Sequence, residues 1–188
     1  MTENKEIMID AAWRLLEEKG INGLTPEALS DITLISEVKI RRLCPTSLSI
    51  LLLLWSDVVS KTPVVHGTGL SAHDILFESI MNHLDVLNPH KISVRRLVNE
   101  LSFAPCWLMD LKPYGTEWSR QRLSEAGVDS SGLMGSIKIQ IFNLFCLYIL
   151  KTWTDDNTPD QSITLAAIDQ GLIKLEEWQS VIKEKLAF

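Results

Sequence analysis

The stretch IMIDAAWRLLEEKGINGLTPEALSDITLISEVKIRRLCPTSLSILLLL at residues 7–54 decides the fold class of this chain. Its apolar residues recur every three or four positions, which predicts three short helices and the start of a fourth. Gly20 predicts the end of the first helix, because glycine readily adopts a left-handed cap conformation. Thr25 and Pro26 predict the start of the second, since threonine caps free amides and proline suits the first turn.

The following residues set the next helix boundaries. The second helix is expected to run to about Ile32. Ser36 is predicted to cap a third helix that ends before Pro45, because the residue preceding a proline resists helical geometry. Thr46 is predicted to open the fourth. Two short helices joined by a tight turn are typical of a helix-turn-helix, whose second helix enters the major groove of DNA.

Helical spacing continues along the rest of the chain, without the alternation that marks β-strands. The sequence therefore predicts an all-α fold. Residues 60–71, SKTPVVHGTGLS, form the clearest break and predict a head at 1–60 and a helical body at 61–188. Helices are predicted in the body at 72–88, 89–103, 104–112, 115–126, 130–153 and 159–185.

Composition limits the function classes. The 188 residues carry a formal net charge of −6, and 46% of them are hydrophobic, which indicates a folded globular protein rather than one that coats nucleic acid through bulk charge. Residues 1–60 hold six basic and nine acidic residues, so the head has a net charge of −3. DNA binding, which gains most of its non-specific affinity from phosphate neutralisation, requires a local basic patch. Lys39, Arg41 and Arg42 supply the best one.

The cysteines and the apolar runs bear on location. Cys44, Cys106 and Cys146 are odd in number and lie in apolar surroundings, which predicts buried thiols in a reducing compartment. The start MTENKEIM lacks the apolar core of a signal peptide. The apolar runs at 49–55 and 137–150 are too short or too polar at their flanks for a membrane span. The sequence therefore predicts a cytoplasmic protein.

The arrangement of residues 1–55 resembles the Tet repressor (TetR) family of transcriptional regulators. The resemblance rests on the helix order, on Gly20 ending the first helix, on a threonine starting the second and on Pro45 after the third. It implies a homodimer that binds operator DNA, with Thr25 on phosphate and a basic third helix as the recognition helix. The DNA-contacting residues expected from it are Thr25, Ser36, Lys39, Arg41 and Arg42.

Three departures from the family pattern weaken the DNA hypothesis. Leu34 stands where members usually have a turn glycine, and residues 41–43 lack the usual aromatic at the end of the recognition helix. Ser47 and Leu48 stand where a lysine usually opens the fourth helix. Two customary phosphate contacts are thus missing. An inherited scaffold with a solvated basic face is the alternative to a DNA-binding head.

Aromatic and sulfur-bearing side chains crowd the second half of the chain. Such side chains line apolar ligand cavities, but they also make ordinary cores. Resemblance to TetR proteins implies a cavity that senses an apolar small molecule. The residues predicted to line it are Trp107, Met109, Trp118, Met134, Phe142, Phe145 and Tyr148.

The last two predicted helices suggest a dimer. The helix at 130–153 is apolar on more than one side, and the final helix offers small residues for close approach. A two-fold dimer would bury both faces and would match a palindromic operator. The alternative is that the two helices bury only each other. The residues predicted at the interface are Ile137, Ile141, Leu144, Ile163 and Ala167.

The segment from Glu78 to Trp178 also resembles the ubiquinone-biosynthesis accessory proteins, which have a TetR-like fold and hold isoprenoid lipid instead of DNA. The carriers are LSEAGVDSSGLMG at 123–135 and WTDDNTPD at 153–160, followed by Thr164, Leu165, Ile168 and Asp169. This resemblance implies a lipid ligand and contact of the final amphipathic helix with a membrane. A plain packed terminal helix is the alternative.

No residue pattern indicates catalysis. Asp155, Asp156 and Asp160 lack the spacing of an EF-hand and are expected to cap a helix start. The histidines lack metal-ligand spacing, and no phosphate loop or nucleophile motif occurs. We expect no enzyme, no cofactor and no metal. The leading hypothesis is a TetR-like regulator, with an isoprenoid-binding accessory protein as the alternative and a protein-interaction module as the third.

Overall fold

The computed structural model describes residues 2–65 and 69–186, which form helices without a β-strand among them. The predicted all-α class is confirmed. Residues 66–68, inside the predicted break, lie outside the described ranges. The α-helices are α1 (Thr2–Lys19), α2 (Pro26–Thr33), α3 (Glu37–Leu43), α4 (Ser47–Lys61), α5 (Ala72–Leu87), α6 (Lys91–Leu101), α7 (Pro105–Glu125), α8 (Gly132–Asp155) and α9 (Ser162–Leu186).

The predicted caps of the first helices are mostly confirmed. Thr25 Oγ1 accepts from the Ala28 amide at 3.2 Å. Thr46 forms a capping box with Ser49, in which each side chain accepts from the other residue's amide. Ser36 occupies the position before α3, but its hydroxyl caps no amide there. The capping role predicted for Ser36 is therefore wrong.

One predicted break is also wrong. The helices expected at 104–112 and 115–126 are a single helix, α7, with Pro113 inside it. A proline removes one backbone hydrogen bond without necessarily ending a helix. Gly115 serves packing here, because a Cβ at that position would lie 2.7 Å from Asn143 Oδ1 on α8.

The chain divides into two compact units that do not follow the predicted boundary. The first contains Met1–Thr62 and Asp85–Leu111, and the second contains Pro63–Leu84 and Lys112–Phe188. The first unit thus includes α6, which the sequence placed in the body, because α6 packs along α1. Ser93 donates to the Trp13 carbonyl at 3.2 Å, and the Trp13 ring stacks on His90 with centroids 4.2 Å apart.

Glu100 on α6 fixes the turn that follows α1. Its Oε2 accepts from the Ile21 amide at 2.7 Å, and its Oε1 accepts from Arg96 Nε at 2.9 Å. Gly20 has a φ of +72°, and a Cβ there would lie 1.9 Å from Glu100 Oε1. Glycine is therefore required at position 20 both for its backbone conformation and for the space that Glu100 fills.

The second unit is built around the antiparallel pair α8 and α9. Asp156 holds the turn between them, since one carboxylate oxygen accepts from the Thr164 amide and hydroxyl at 2.8 and 2.7 Å. Its other oxygen accepts from the Thr158 amide and hydroxyl. Burial opposes ionisation of Asp156, but these hydrogen bonds outweigh it and hold the pKa of the carboxyl well below its usual range.

Asp156 and Asp160 accept from amides at the start of the final helix, as expected, but Asp155 does not, because it is the last residue of α8. Asp160 accepts from the Ser162 amide at 3.1 Å, and Asp155 pairs with Lys151 at 2.8 Å. The final helix begins at Ser162 rather than at the predicted residue 159. Within the described ranges, no group of three or more His, Cys, Asp or Glu side chains is placed to hold a metal ion.

Comparing two alanine substitutions tests the role of Glu100. Gly127 has a φ of +70° but nothing within 4 Å of its missing Cβ, so Gly127→Ala should cost only the left-handed backbone, about 1 kcal/mol. Gly20→Ala should also displace Glu100 and lose its hydrogen bond to Ile21, costing roughly 1–3 kcal/mol more. Urea unfolding measures both free energies. Equal losses would contradict the assigned role of Glu100.

Candidate nucleic-acid and ligand sites

The α2–α3 pair exposes all three predicted basic residues. Residues 34–36 join the two helices, and α3 turns Ile40 fully inward. Lys39, Arg41 and Arg42 lie on the exposed part of α3. The geometry therefore presents the predicted recognition helix to solvent.

Arg41 is committed to acidic neighbours. Its Nε donates to Glu37 Oε1 at 2.6 Å, and its Nη2 pairs with Glu27 on α2. Lys39 and Arg42, in contrast, form no ion pair with any described residue. Because a phosphate would have to compete with two carboxylates for Arg41, only two of the three predicted cations are open to an anion.

The other two predicted DNA contacts differ from each other. Thr25 is half-buried, and its hydroxyl oxygen accepts from the Ala28 amide, which leaves the hydroxyl hydrogen to donate. Ser36 is exposed just before α3. Of the two, Ser36 is the better placed to meet a ligand at the surface.

Leu34 has an unusual conformation in the turn between α2 and α3. Its φ is +59°, in the left-handed region that disfavours residues with a Cβ, and its N–H donates to the Ser30 carbonyl at 3.1 Å. Its side chain is 93% exposed. The chain thus holds a bulky apolar residue in a strained conformation and in water.

The second unit contains a small, mostly apolar cavity of about 40 Å³. Four helices contribute to its walls: α5, α7, α8 and α9. A volume of this size is far below the roughly 300–1,000 Å³ of a site for a drug-sized ligand. The lining residues are Leu76, Leu123, Val128, Lys138, Ile141, Phe142, Leu172, Leu175, Glu176 and Trp178.

The structure does not gather the seven predicted pocket residues around one cavity. Among them, Phe142 lines the cavity. The Trp118 ring stacks on the Phe142 ring with centroids 6.4 Å apart. The Phe145 ring is tilted against the Phe142 ring, with centroids 6.2 Å apart. Met134 is half-buried in the same unit, and Tyr148 is 59% exposed.

The remaining two predicted pocket residues lie in the other compact unit. Trp107 and Met109 precede residue 112, where the second unit resumes. Trp107 is half-buried and Met109 is 75% exposed. The aromatic and sulfur-bearing side chains predicted the part of the chain that contains the cavity. They did not predict the residues of the cavity wall, which are largely aliphatic. The sequence did contain one signal for the wall, because Leu172 and Leu175 are three positions apart and so lie on one side of a helix.

An apolar surface runs along α8 and α9. Leu144 is 65% exposed, and Ile137 and Ile163 are exposed as well. Ile141 and Ala167 are half-buried, and Ile141 lines the cavity. Three of the five predicted dimer contacts are therefore open to a partner, and the other two take part in packing within the unit.

Helix α8 is longer than the apolar run that the sequence indicated. By length and composition Gly132–Asp155 suffices to cross a membrane, and 22% of its most apolar window is buried. The bent pair α3 and α4 passes the same test when taken together. The cytoplasmic location stays a prediction.

The cysteines do not share one environment. Cys44 is buried and Cys146 is half-buried, and burial raises the pKa of both thiols. Cys106 is exposed, so the prediction of three buried thiols is wrong for this residue. It lies in the first turn of α7, where an apolar sequence context did not lead to burial.

A polar cluster lies in the core of the second unit. His83 on α5 packs against Trp118 with centroids 5.1 Å apart, and the Arg122 guanidinium lies 5.8 Å from the Trp118 ring centroid. Arg122 Nη2 donates to Glu125 Oε1 at 2.9 Å. Burial, aided by the positive charge of Arg122, lowers the pKa of His83 to about 4.

No protein-family model matches the chain, and no curated protein sequence matches it.

Acid titration tests the His83 environment. Because the pKa of His83 is about 4 in the folded chain and 6.5 ordinarily, the unfolded chain binds the extra proton between these values. The free energy of unfolding should fall by roughly 3 kcal/mol as pH drops from 6.5 to 4. His83→Gln should lack this slope, as followed by urea unfolding. Parallel pH profiles for both proteins would contradict a buried neutral His83.

Proposed function

We propose that this chain is a homodimeric protein of TetR-like fold that binds an isoprenoid lipid in its second unit, as an accessory protein of ubiquinone biosynthesis. The observation that carries the proposal is the cavity, because its walls are mostly aliphatic and aromatic and come from four helices. Lys138 and Glu176 are the charged residues among its lining. An apolar chain with one polar end matches this arrangement.

The size of the cavity defines what binding requires. About 40 Å³ admits only a few atoms, so an isoprenoid must widen it. Helices α8 and α9 supply seven of the ten lining residues, so widening the cavity must displace one or both of them. Binding is therefore expected to couple to a displacement of these two helices.

The residues that carry the resemblance to the lipid-binding group have structural positions. Trp153 is fully buried, and Asp156 is hydrogen-bonded to Thr158 and Thr164 at the α8–α9 turn. The motif thus sets the geometry of the helix pair that lines the cavity. This supports a shared architecture, while the ligand is argued from the cavity walls.

The charge and the apolar side chains on the surface of the head favour lipid binding over DNA binding. Arg41 is held by Glu27 and Glu37, and Leu34 exposes an apolar side chain in the turn. Because residues 1–60 have a net charge of −3, a polyanion can be held only by a local basic surface. DNA binding would have to rely chiefly on two cations.

Transcriptional regulation is the second candidate, and a specific observation favours it. Lys39 and Arg42 lie exposed on a helix that follows another across a three-residue turn, as in a helix-turn-helix. In that case an apolar effector in the cavity would change the spacing of the two heads by binding one spacing better than the other. Operator DNA is then the partner.

The dimer is assigned to the exposed surface of α8 and α9. A two-fold axis would place the same apolar residues of both copies against each other, so the same surface is buried on each copy. Leu144 lies near the middle of α8, and Tyr148 follows one turn later. Pairing of these surfaces removes from water the apolar side chains that the single chain leaves exposed.

A single charge should break the dimer. Leu144→Glu would bury two carboxylates at the interface, so the dimer dissociation constant should rise about 100-fold or more. Ile92→Glu, on the exposed face of α6, is the matched control and should leave it unchanged. Analytical ultracentrifugation over a concentration series measures the constant. A wild-type chain that stays monomeric, or a Leu144→Glu chain that dimerises normally, contradicts the assignment.

Filling the cavity should reduce bound lipid. The organic extract of purified protein is expected to contain an isoprenoid by mass spectrometry. Leu175→Trp, which adds volume at the cavity wall, should lower its amount several-fold. Ile173→Trp, two residues away on α9 and exposed, should not. Absence of lipid from the wild-type extract, or equal lipid in both variants, counts against lipid binding.

Selection from genomic DNA across a salt series decides the second candidate. A fragment retained by wild-type protein but not by Lys39→Ala/Arg42→Ala would establish the regulator and displace the lipid proposal as the main function. Arg41→Ala is the informative companion, since its pairing with Glu27 and Glu37 predicts a smaller effect on DNA binding. Retention that does not depend on Lys39 and Arg42 would rule out the recognition helix.

A further inference from the structure

Three apolar and two basic side chains share the exposed surface of α3 and the turn before it. We call this surface the α3 patch. Leu34 is 93% exposed, Val38 64% and Leu43 62%, and the cations are Lys39 and Arg42. Neither cation forms an ion pair with a described residue.

Helix geometry separates the cations of the patch from the nearby acids. At about 100° per residue, Val38 and Arg42 lie opposite the buried Ile40. Lys39 and Leu43 then lie on one flank of α3. That flank combines the apolar Leu43 with the unpaired positive charge of Lys39.

The opposite flank of α3 carries the acids. Arg41 lies there with Glu37. Arg41 forms one ion pair with Glu37 and a second with Glu27 of α2. The two carboxylates are thus partly neutralised and lie away from Lys39. The α3 patch therefore presents positive charge, although residues 1–60 as a whole are acidic.

Leu34 is the least favourable residue of the α3 patch for the fold itself. A leucine with φ +59° is disfavoured by its backbone, and one that is 93% exposed gains nothing from burial. Asparagine or glycine would suit the turn better on both grounds. An outlier of this kind indicates a use for the apolar side chain outside the fold.

We propose that the α3 patch docks on an anionic lipid surface, with its apolar side chains in the interface and Lys39 and Arg42 on lipid phosphates. Apolar anchors beside cations are the combination that interfacial binding requires. Nucleic acid supplies phosphates too, but Leu34 and Val38 gain little there. A protein partner needs a larger interface, of at least about 1,000 Å², than three apolar side chains make.

The docking complements the proposed lipid binding without depending on it. A protein that takes up an isoprenoid must meet the membrane that dissolves it. The patch and the cavity lie in different compact units, so one can be altered without changing residues of the other.

Vesicle sedimentation with the full chain tests the proposal. Vesicles of phosphatidylcholine mixed with phosphatidylglycerol should bind wild-type protein more strongly than pure phosphatidylcholine vesicles. Lys39→Gln/Arg42→Gln should weaken the binding about 25-fold, since each cation near such a surface contributes about fivefold, and should reduce its salt dependence. Leu34→Asn should weaken it several-fold while leaving thermal stability unchanged or higher, because asparagine tolerates the left-handed conformation.

The matched control pairs an exposed apolar residue with an exposed cation elsewhere in the same unit. Arg14→Gln/Ile92→Asn should bind vesicles as wild type does. Normal vesicle binding by Leu34→Asn and the Lys39/Arg42 variant, or no binding by wild type, overturns the proposal. So does binding of random duplex DNA that requires Lys39 and Arg42 but not Leu34. Isoprenoid added to the purified protein without vesicles should bind Leu34→Asn as it binds wild type, which separates failure of docking from failure of lipid binding.

Discussion

The first compact unit depends on the contact of α6 with the end of α1. Glu100 accepts from the Ile21 amide, and Arg96 donates to the Glu17 carbonyl at 2.9 Å, so α6 satisfies backbone groups at a helix end that would otherwise lack partners. Gly20 allows this approach. The turn so fixed determines where α2 and α3 begin, and with them the exposed surface that carries Lys39 and Arg42.

That exposed surface is shaped by pairing within the head. Glu27 and Glu37 form ion pairs with Arg41, so the unpaired positive charge covers a smaller part of the surface. Exposed apolar side chains lie beside that charge. The balance between cations and apolar groups on this surface is what separates the DNA hypothesis from the proposed docking on lipid. In the second unit, the α8–α9 turn held by Asp156 similarly determines which apolar side chains face the cavity and which face solvent.

Local signals predicted the helices well and the boundaries between units poorly. Hydrogen bonds and dihedral angles within a few residues explain the effects of Gly20, Thr25, Pro26 and Thr46. These effects could therefore be predicted from the sequence. Pro113 misled because a proline in a long helix is tolerated when the rest of the helix packs. The pocket prediction placed Trp107 with Phe142, although the two belong to different units, since residue type does not specify which helices meet.

The sequence by itself determined an all-α chain, the caps of α2 and α4 and the three basic residues of α3. These follow from periodicity and from interactions between near neighbours. Tertiary structure alone decided that α6 joins the first unit, that Arg41 is taken up by an acid from another helix, and that aliphatic residues of four helices surround the cavity. Each of these depends on contacts between residues far apart in the chain, which local preference does not specify.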